Sequence, residues 1–159
     1  MKITIVCVGK IKEKFFRDAI SEYSKRLSKF CKLNVIEVDD EKTPDGASLK
    51  VEESIKDKEG ARIMAHIPEG AYVIVLAIEG AKYNSENFAK KIDRLCIEGK
   101  SNIVFIIGGS LGVAESVKSK ADELVSFSDM TFPHQLMRVI LLEQVYRCFK
   151  IISNEPYHK

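Results

Sequence analysis

Five short apolar runs, separated by longer mixed stretches, constrain this 159-residue chain more than any other feature. They are Ile3 to Val8, Leu33 to Val38, Tyr72 to Ile78, Ile103 to Ile107 and Glu123 to Phe127. Each is nearly continuous rather than alternating. A strand with one wet face alternates apolar and polar residues, whereas a continuous run needs cover on both faces. After the first run, Phe15, Phe16, Ala19, Ile20, Tyr23, Leu27 and Phe30 recur at helical spacing. Asp39 to Ser48 reads as an exposed loop, with Pro44 and Gly46 inside it. A charged helix is predicted over Leu49 to Ile67. Another starts at a Ser85 cap and runs to about Glu98, with Phe88, Ile92, Leu95 and Cys96 inward. The alternation predicts an α/β fold: a mostly parallel sheet of five to six strands, with helices on both faces, in one domain over residues 1–159.

The last helix, from His134 to about Ile152, is apolar in almost every direction. Leu136, Met137, Val139, Ile140, Leu141, Leu142, Val145, Tyr146, Phe149, Ile151 and Ile152 leave it no wide polar face. A helix of this kind needs cover on two sides. A second subunit supplies that cover in a homodimer; threading through the monomer core is the other solution.

Charge is unevenly spread, although the net value is only +2. Met1 to Lys32 holds nine Lys or Arg against three acids; residues 33–60 hold nine acids against four Lys. A basic first third, with Lys10, Lys12, Lys14, Arg17, Lys25 and Arg26, can face phosphates or simply form a solvated helix face. The four cysteines form no C-x-x-C and no metal-ligand spacing with a His. Cys7, Cys96 and Cys148 lie in apolar runs and read as small core residues. No run approaches a membrane span and no signal-peptide core is present, so a cytoplasmic, soluble protein without disulfides or metal is expected.

Ligands of parallel α/β sheets sit at the carboxyl ends of the strands. Three such ends carry loop chemistry here: Ala77-Ile78-Glu79-Gly80, Gly108-Gly109-Ser110-Leu111-Gly112 and Phe127-Ser128-Asp129-Met130-Thr131. The glycine loop has neither the Lys-Ser/Thr ending of a P-loop nor G-x-G-x-x-G spacing. That argues against a nucleotide hydrolase; alone, the loop reads equally as a tight strand-to-helix turn. The stretch Ser126 to Gln135, S-F-S-D-M-T-F-P-H-Q, is more specific, and Pro133 suits a first helical turn.

Taken together, I-G-G-S-x-G, S-x-S-x-M-T-F-P-H-Q-x-x-R-V, E-Q-x-Y-R, the terminal Tyr-His-Lys and the early Val8-Gly9-Lys10 resemble the RlmH family over the full chain. These are ribosomal RNA large-subunit methyltransferases of the SPOUT superfamily. The resemblance implies a C-terminal trefoil knot, a homodimer and S-adenosylmethionine as cofactor. It also implies methylation of a pseudouridine at N3 in 23S ribosomal RNA. The cofactor residues it implies are Leu76, Gly108, Phe127, Ser128, Asp129, Met130, Thr131 and Phe132.

The chemistry requires the N3 proton to leave and charge on the neighbouring carbonyl oxygens to be stabilised. Candidate groups are His134, Arg138, Arg147, Tyr157 and His158. His158, aided by Tyr157, would approach the base, and Arg138 and Arg147 would hold phosphate or uracil oxygens. His134 would order the pocket. The structural alternatives are a helix-capping His134, an Arg138 paired with a carboxylate, and a frayed tail. A small net charge implies modest affinity for naked RNA, so the expected partner is ribosomal RNA within an assembled ribosome. A non-catalytic RNA- or ribosome-binding module of the same fold is the alternative function.

Overall fold

The structure is a computed structural model and describes residues 1–157. Its strands and helices follow in the order β1 (Lys2–Val8), α1 (Lys14–Leu27), β2 (Lys32–Val38), α2 (Leu49–Met64), β3 (Tyr72–Lys82), α3 (Ser85–Ile97), β4 (Asn102–Ile107), α4 (Glu115–Lys118), β5 (Glu123–Ser126) and α5 (His134–Ile152). The strands form one five-stranded sheet in the order β2-β1-β4-β3-β5, and every pairing is parallel.

Period-two alternation sends neighbouring residues of each central strand to opposite faces. Ile3, Ile5 and Cys7 of β1 join Ile103, Phe105 and Ile107 of β4 in an apolar layer under α1, α3 and α5. Val6 and Val8 join Val104 and Ile106 in a second layer under α2 and α4. Both faces are therefore covered, as continuous apolar strands demand. Each fully buried Ile or Val contributes roughly 1.5–3 kcal/mol.

β3 is irregular. Leu76 and Ala81 both stand opposite Val125 of β5, so residues 77–80 leave the ladder. Gly80 re-enters against β5 so closely that a Cβ would lie 2.5 Å from the Val125 nitrogen. The Glu123 carboxylate ties the crossing together. It accepts from the Tyr72 hydroxyl at 3.2 Å, pairs with Lys91 at 2.9 Å and binds the Tyr83 hydroxyl. Hydrogen bonds and cation attraction hold this carboxyl below its usual range despite burial, which is the largest influence and acts upward.

Three local expectations change. Asn84, not Ser85, caps α3, accepting from the Asn87 N–H at 2.8 Å; Ser85 instead donates to Gln144 of α5 at 2.9 Å. The helix expected to reach Ile67 ends at Met64. Cys96 is exposed, while Cys7, Cys31 and Cys148 are buried free thiols. On α5, Met137, Leu141, Leu142, Val145, Cys148 and Phe149 enter the core, whereas Leu136, Val139, Ile140, Tyr146 and Ile151 are only half-buried. Among the described residues, no helix is long and apolar enough to cross a membrane.

Candidate methyl-transfer site

The sheet register places the carboxyl ends of β3, β4 and β5 along one rim. Val75 stands opposite Ile106, and Leu76 opposite Val125. Leu76, Gly108 and Phe127 therefore lie near one level, each where its strand turns away. A Cβ on Gly108 would come within 2.6 Å of the Gly112 carbonyl oxygen and the Val113 side chain. The loop is folded back on itself: the Gly112 N–H donates to the Gly109 carbonyl at 3.1 Å, and Gly112 has φ +88°. Only glycine suits such a turn without strain.

The third part of the rim is built by local hydrogen bonds. Ser126 Oγ donates to the Ser128 carbonyl at 3.0 Å, and Ser128 Oγ accepts from the Met130 N–H at 3.0 Å. Phe127 packs edge-on to Phe88 with ring centroids 5.9 Å apart. Asp129 pairs with Lys82 at 2.5 Å, an exposed contact across the loop. Met130 remains 72% exposed and Thr131 is exposed, while Phe132 is half-buried. Beyond the rim, Glu79 in the β3 excursion pairs with Lys118 of α4. A cavity of about 590 Å³ adjoins this loop, lined by Phe127 and Phe132 together with Tyr83, Phe88, Ile140 and Gln144.

A second cluster gathers where β1 meets α5. His134 Nε2 lies 3.2 Å from where a Cβ on Gly9 would sit, with the Asp40 carboxyl beside the same glycine. Burial, then the positive charge of Arg138, pushes His134 below its ordinary value; Asp40 pulls the other way and Lys12 adds to the depression. Arg138 is completely buried. It donates to Glu37 Oε1 at 2.7 Å, to the Val8 carbonyl at 2.8 Å and to the Gly9 carbonyl at 2.6 Å. Its Nε has no partner among the described residues. The guanidinium thus binds the backbone at the end of β1.

A third cluster lies farther along α5. Arg147 donates through Nε to Glu143 Oε1 at 3.0 Å, and its guanidinium stands 4.8 Å from the Tyr157 ring centre. Tyr157 donates to the same carboxylate at 3.3 Å and meets Tyr146 edge-on. Burial, with the Tyr23 and Glu143 charges, pushes its phenol up to about 12. Thirteen residues separate His134 from Arg147, a rise of roughly 20 Å along a helix. Gln144, three residues before Arg147, lines the cavity beside Phe127 and Phe132. His158 lies outside the described residues.

Residues 1–158 match the family described as predicted SPOUT methyltransferase. The chain belongs to this family. Two relatives bear the name ribosomal RNA large subunit methyltransferase H. That of Clostridium novyi (strain NT) is 59% identical over 159 residues, covering 100% of each chain. That of Bifidobacterium adolescentis (strain ATCC 15703 / DSM 20083 / NCTC 11814 / E194a) is 60% identical over 159 residues, again covering 100% of each. The family resemblance read from the motifs is thereby established.

In this SPOUT methyltransferase, the structure adds site residues that motif reading missed. Glu59 of α2 is buried beneath the glycine loop. Its Oε1 accepts from the Glu41 N–H at 2.9 Å, and its Oε2 lies 3.0 Å from a Cβ position on Gly109. Burial is the main cause of its raised pKa. Gln135 accepts from the Lys12 N–H at 3.1 Å, joining α5 to the loop after β1. Neither contact has a local sequence signature, since each joins distant segments. Among the described residues, no group of three or more His, Cys, Asp or Glu could hold a metal ion.

Proposed function

We propose that this chain is an S-adenosylmethionine-dependent methyltransferase acting on N3 of a pseudouridine in 23S ribosomal RNA. The observation that carries the reading is the rim of Leu76, Gly108 and residues 127–132 at three adjacent strand ends. Its chemistry suits that cofactor. The glycine turn leaves backbone groups accessible, and Leu76, Leu111 and Met130 offer apolar surface for an adenine or a methionine chain. When bound, the cofactor's sulfonium supplies an electrophilic methyl group and no metal is required.

The protein's own residues then have distinct tasks. Ser128, Asp129 and Thr131 shape the loop, and Phe127 and Phe132 close it on the core side. His134, its pKa lowered by burial and by the Arg138 charge, orders the pocket's edge. Arg138 acts as a positioning residue through the end of β1. Arg147, Tyr157 and His158 approach the target base from a second subunit, with His158 moving the N3 proton. The homodimer forms through the half-buried stripe of α5. The β3–β5 crossing belongs to a C-terminal trefoil knot. The enzyme works in the cytoplasm as a single domain, on RNA within an assembled ribosome.

The test is transfer of a radiolabelled methyl group to large ribosomal subunits by the full chain and by one lacking residues 157–159. Transfer by the full chain, with cofactor binding kept and transfer lost after deletion, is expected. No transfer by the full chain would overturn the reading and favour a non-catalytic RNA-binding module. Unchanged transfer after deletion would remove the tail from the mechanism.

A further inference from the structure

Phe15, in the first turn of α1, is 63% exposed and belongs to neither apolar layer. Its ring is tilted against the Phe16 ring, at 4.4 Å between centroids. A single exposed aromatic is ordinary. This one, however, sits on a segment held in place on several sides. Arg17 donates to the Ile11 and Lys12 carbonyls at 3.2 and 2.8 Å. The Ile11 N–H binds Glu37 at 3.0 Å, and the Lys12 N–H binds Gln135 at 3.1 Å. Gln135 is next to His134 and two residues past Pro133, where the cofactor loop ends. The ring thus sits in the first turn of α1, next to a loop tied to the residue after His134.

Lys10, Lys12 and Lys14 precede it in the chain. The Lys12 ammonium has no carboxylate partner among the described residues, and its charge is felt at His134. Lys10 and Lys14 form exposed pairs with Asp39 at 3.3 Å and Asp18 at 2.6 Å. Exposed pairs of this kind hold weakly and yield to a phosphate. An exposed aromatic ring on a segment that also carries Lys12 and Lys14 matches an unpaired nucleobase between two phosphates.

We propose that Phe15 is a stacking platform for an unpaired RNA base next to the target nucleotide, with the neighbouring phosphates on Lys12 and Lys14. The inference rests on the RNA-methyltransferase reading and goes further by naming the contact. It commits to RNA in which at least one base is unstacked, and it makes Phe15 a binding residue rather than a catalytic one.

The test uses the absence of tryptophan from the chain. In F15W the new indole is the sole tryptophan reporter. Its fluorescence is expected to be quenched by a single-stranded pyrimidine RNA, and little affected by a fully paired RNA duplex or by heparin. In methyl transfer to large ribosomal subunits, F15A is expected to raise KM about ten-fold, as loss of one stacked base does. Its kcat and cofactor affinity should stay near wild type, and F15W should restore KM. Equal quenching by heparin and RNA, or an unchanged KM in F15A, would overturn the platform. A weaker dimer in F15A by sedimentation would also overturn it, by assigning the ring to a subunit contact. These outcomes differ from failure of the function itself, in which the wild-type chain transfers no methyl group.

Discussion

Arg138 and Glu37 meet at 2.7 Å although 101 positions separate them in the chain. The pair fastens α5 to the end of β1 through the Val8 and Gly9 carbonyls, the same corner that receives His134. Removing one partner of a buried pair costs about 3–5 kcal/mol, because the remaining polar groups lose their partners. R138M is expected to lose about that much stability in urea unfolding. Glu37 is partly exposed and can recover water, so E37Q should lose less. An R138M protein as stable as wild type would show that the corner does not depend on the ion pair.

Gly80 and Gly108 are expected to be intolerant for a steric reason that flexible side chains cannot relieve. A Cβ on Gly80 meets the β5 backbone at 2.5–2.6 Å, and one on Gly108 meets the Gly112 carbonyl at 2.6 Å. Overpacking typically costs 1–3 kcal/mol, and backbone obstacles place G80A at the upper end. A fall in Tm of about 6–12 °C is expected for it. G108A should also weaken cofactor binding in calorimetry, because the turn itself shifts. S110A, at an exposed position of the same loop, is the control and should change neither measurement.

Glu59 supplies a pH test. Burial raises its pKa above the ordinary 4.5, so the folded state holds its proton more tightly than the unfolded state does. Its contribution is fully present below 4.5 and is lost as pH rises through the raised value. E59Q keeps an acceptor for the Glu41 N–H while removing the charge. The variant should therefore be more stable than wild type at neutral pH, and the advantage should vanish below 4.5. Urea midpoints across this range check the sign. A neutral-pH loss of stability in E59Q would mean that the charged carboxylate is the form the glycine loop needs.

Much of the architecture was legible because it follows from local periodicity. The continuous runs at Ile3 to Val8 and Ile103 to Ile107 became the two central strands, buried on both faces. The strand ends before Ala77, at Gly108 and at Phe127 were legible from the sequence, while Leu76 entered through the family resemblance. What escaped was set by tertiary partners. The departure of residues 77–80 from the ladder depends on how β5 meets β3, not on their composition. Asn84 rather than Ser85 caps α3, because Ser85 finds Gln144 across the interface with α5. Glu59 resembles any charged helix residue in sequence, and only the fold puts it under Gly109. The double-sided apolar pattern of α5 was readable, and the fold divides it into a core face and a half-buried stripe.

The central pairing of β1 with β4 has a consequence during synthesis. Lys2 stands beside Asn102, so β1 waits for a neighbour encoded about 100 positions later. At 5–20 residues per second the wait is roughly 5–20 s. β2 reaches one edge of β1 much sooner, through the Lys2 to Lys32 register. Throughout that interval the other edge of β1, with Ile3, Ile5 and Val6, is an open apolar strand. The nascent chain therefore passes through a stage in which its most buried segment is its most exposed aggregation hazard.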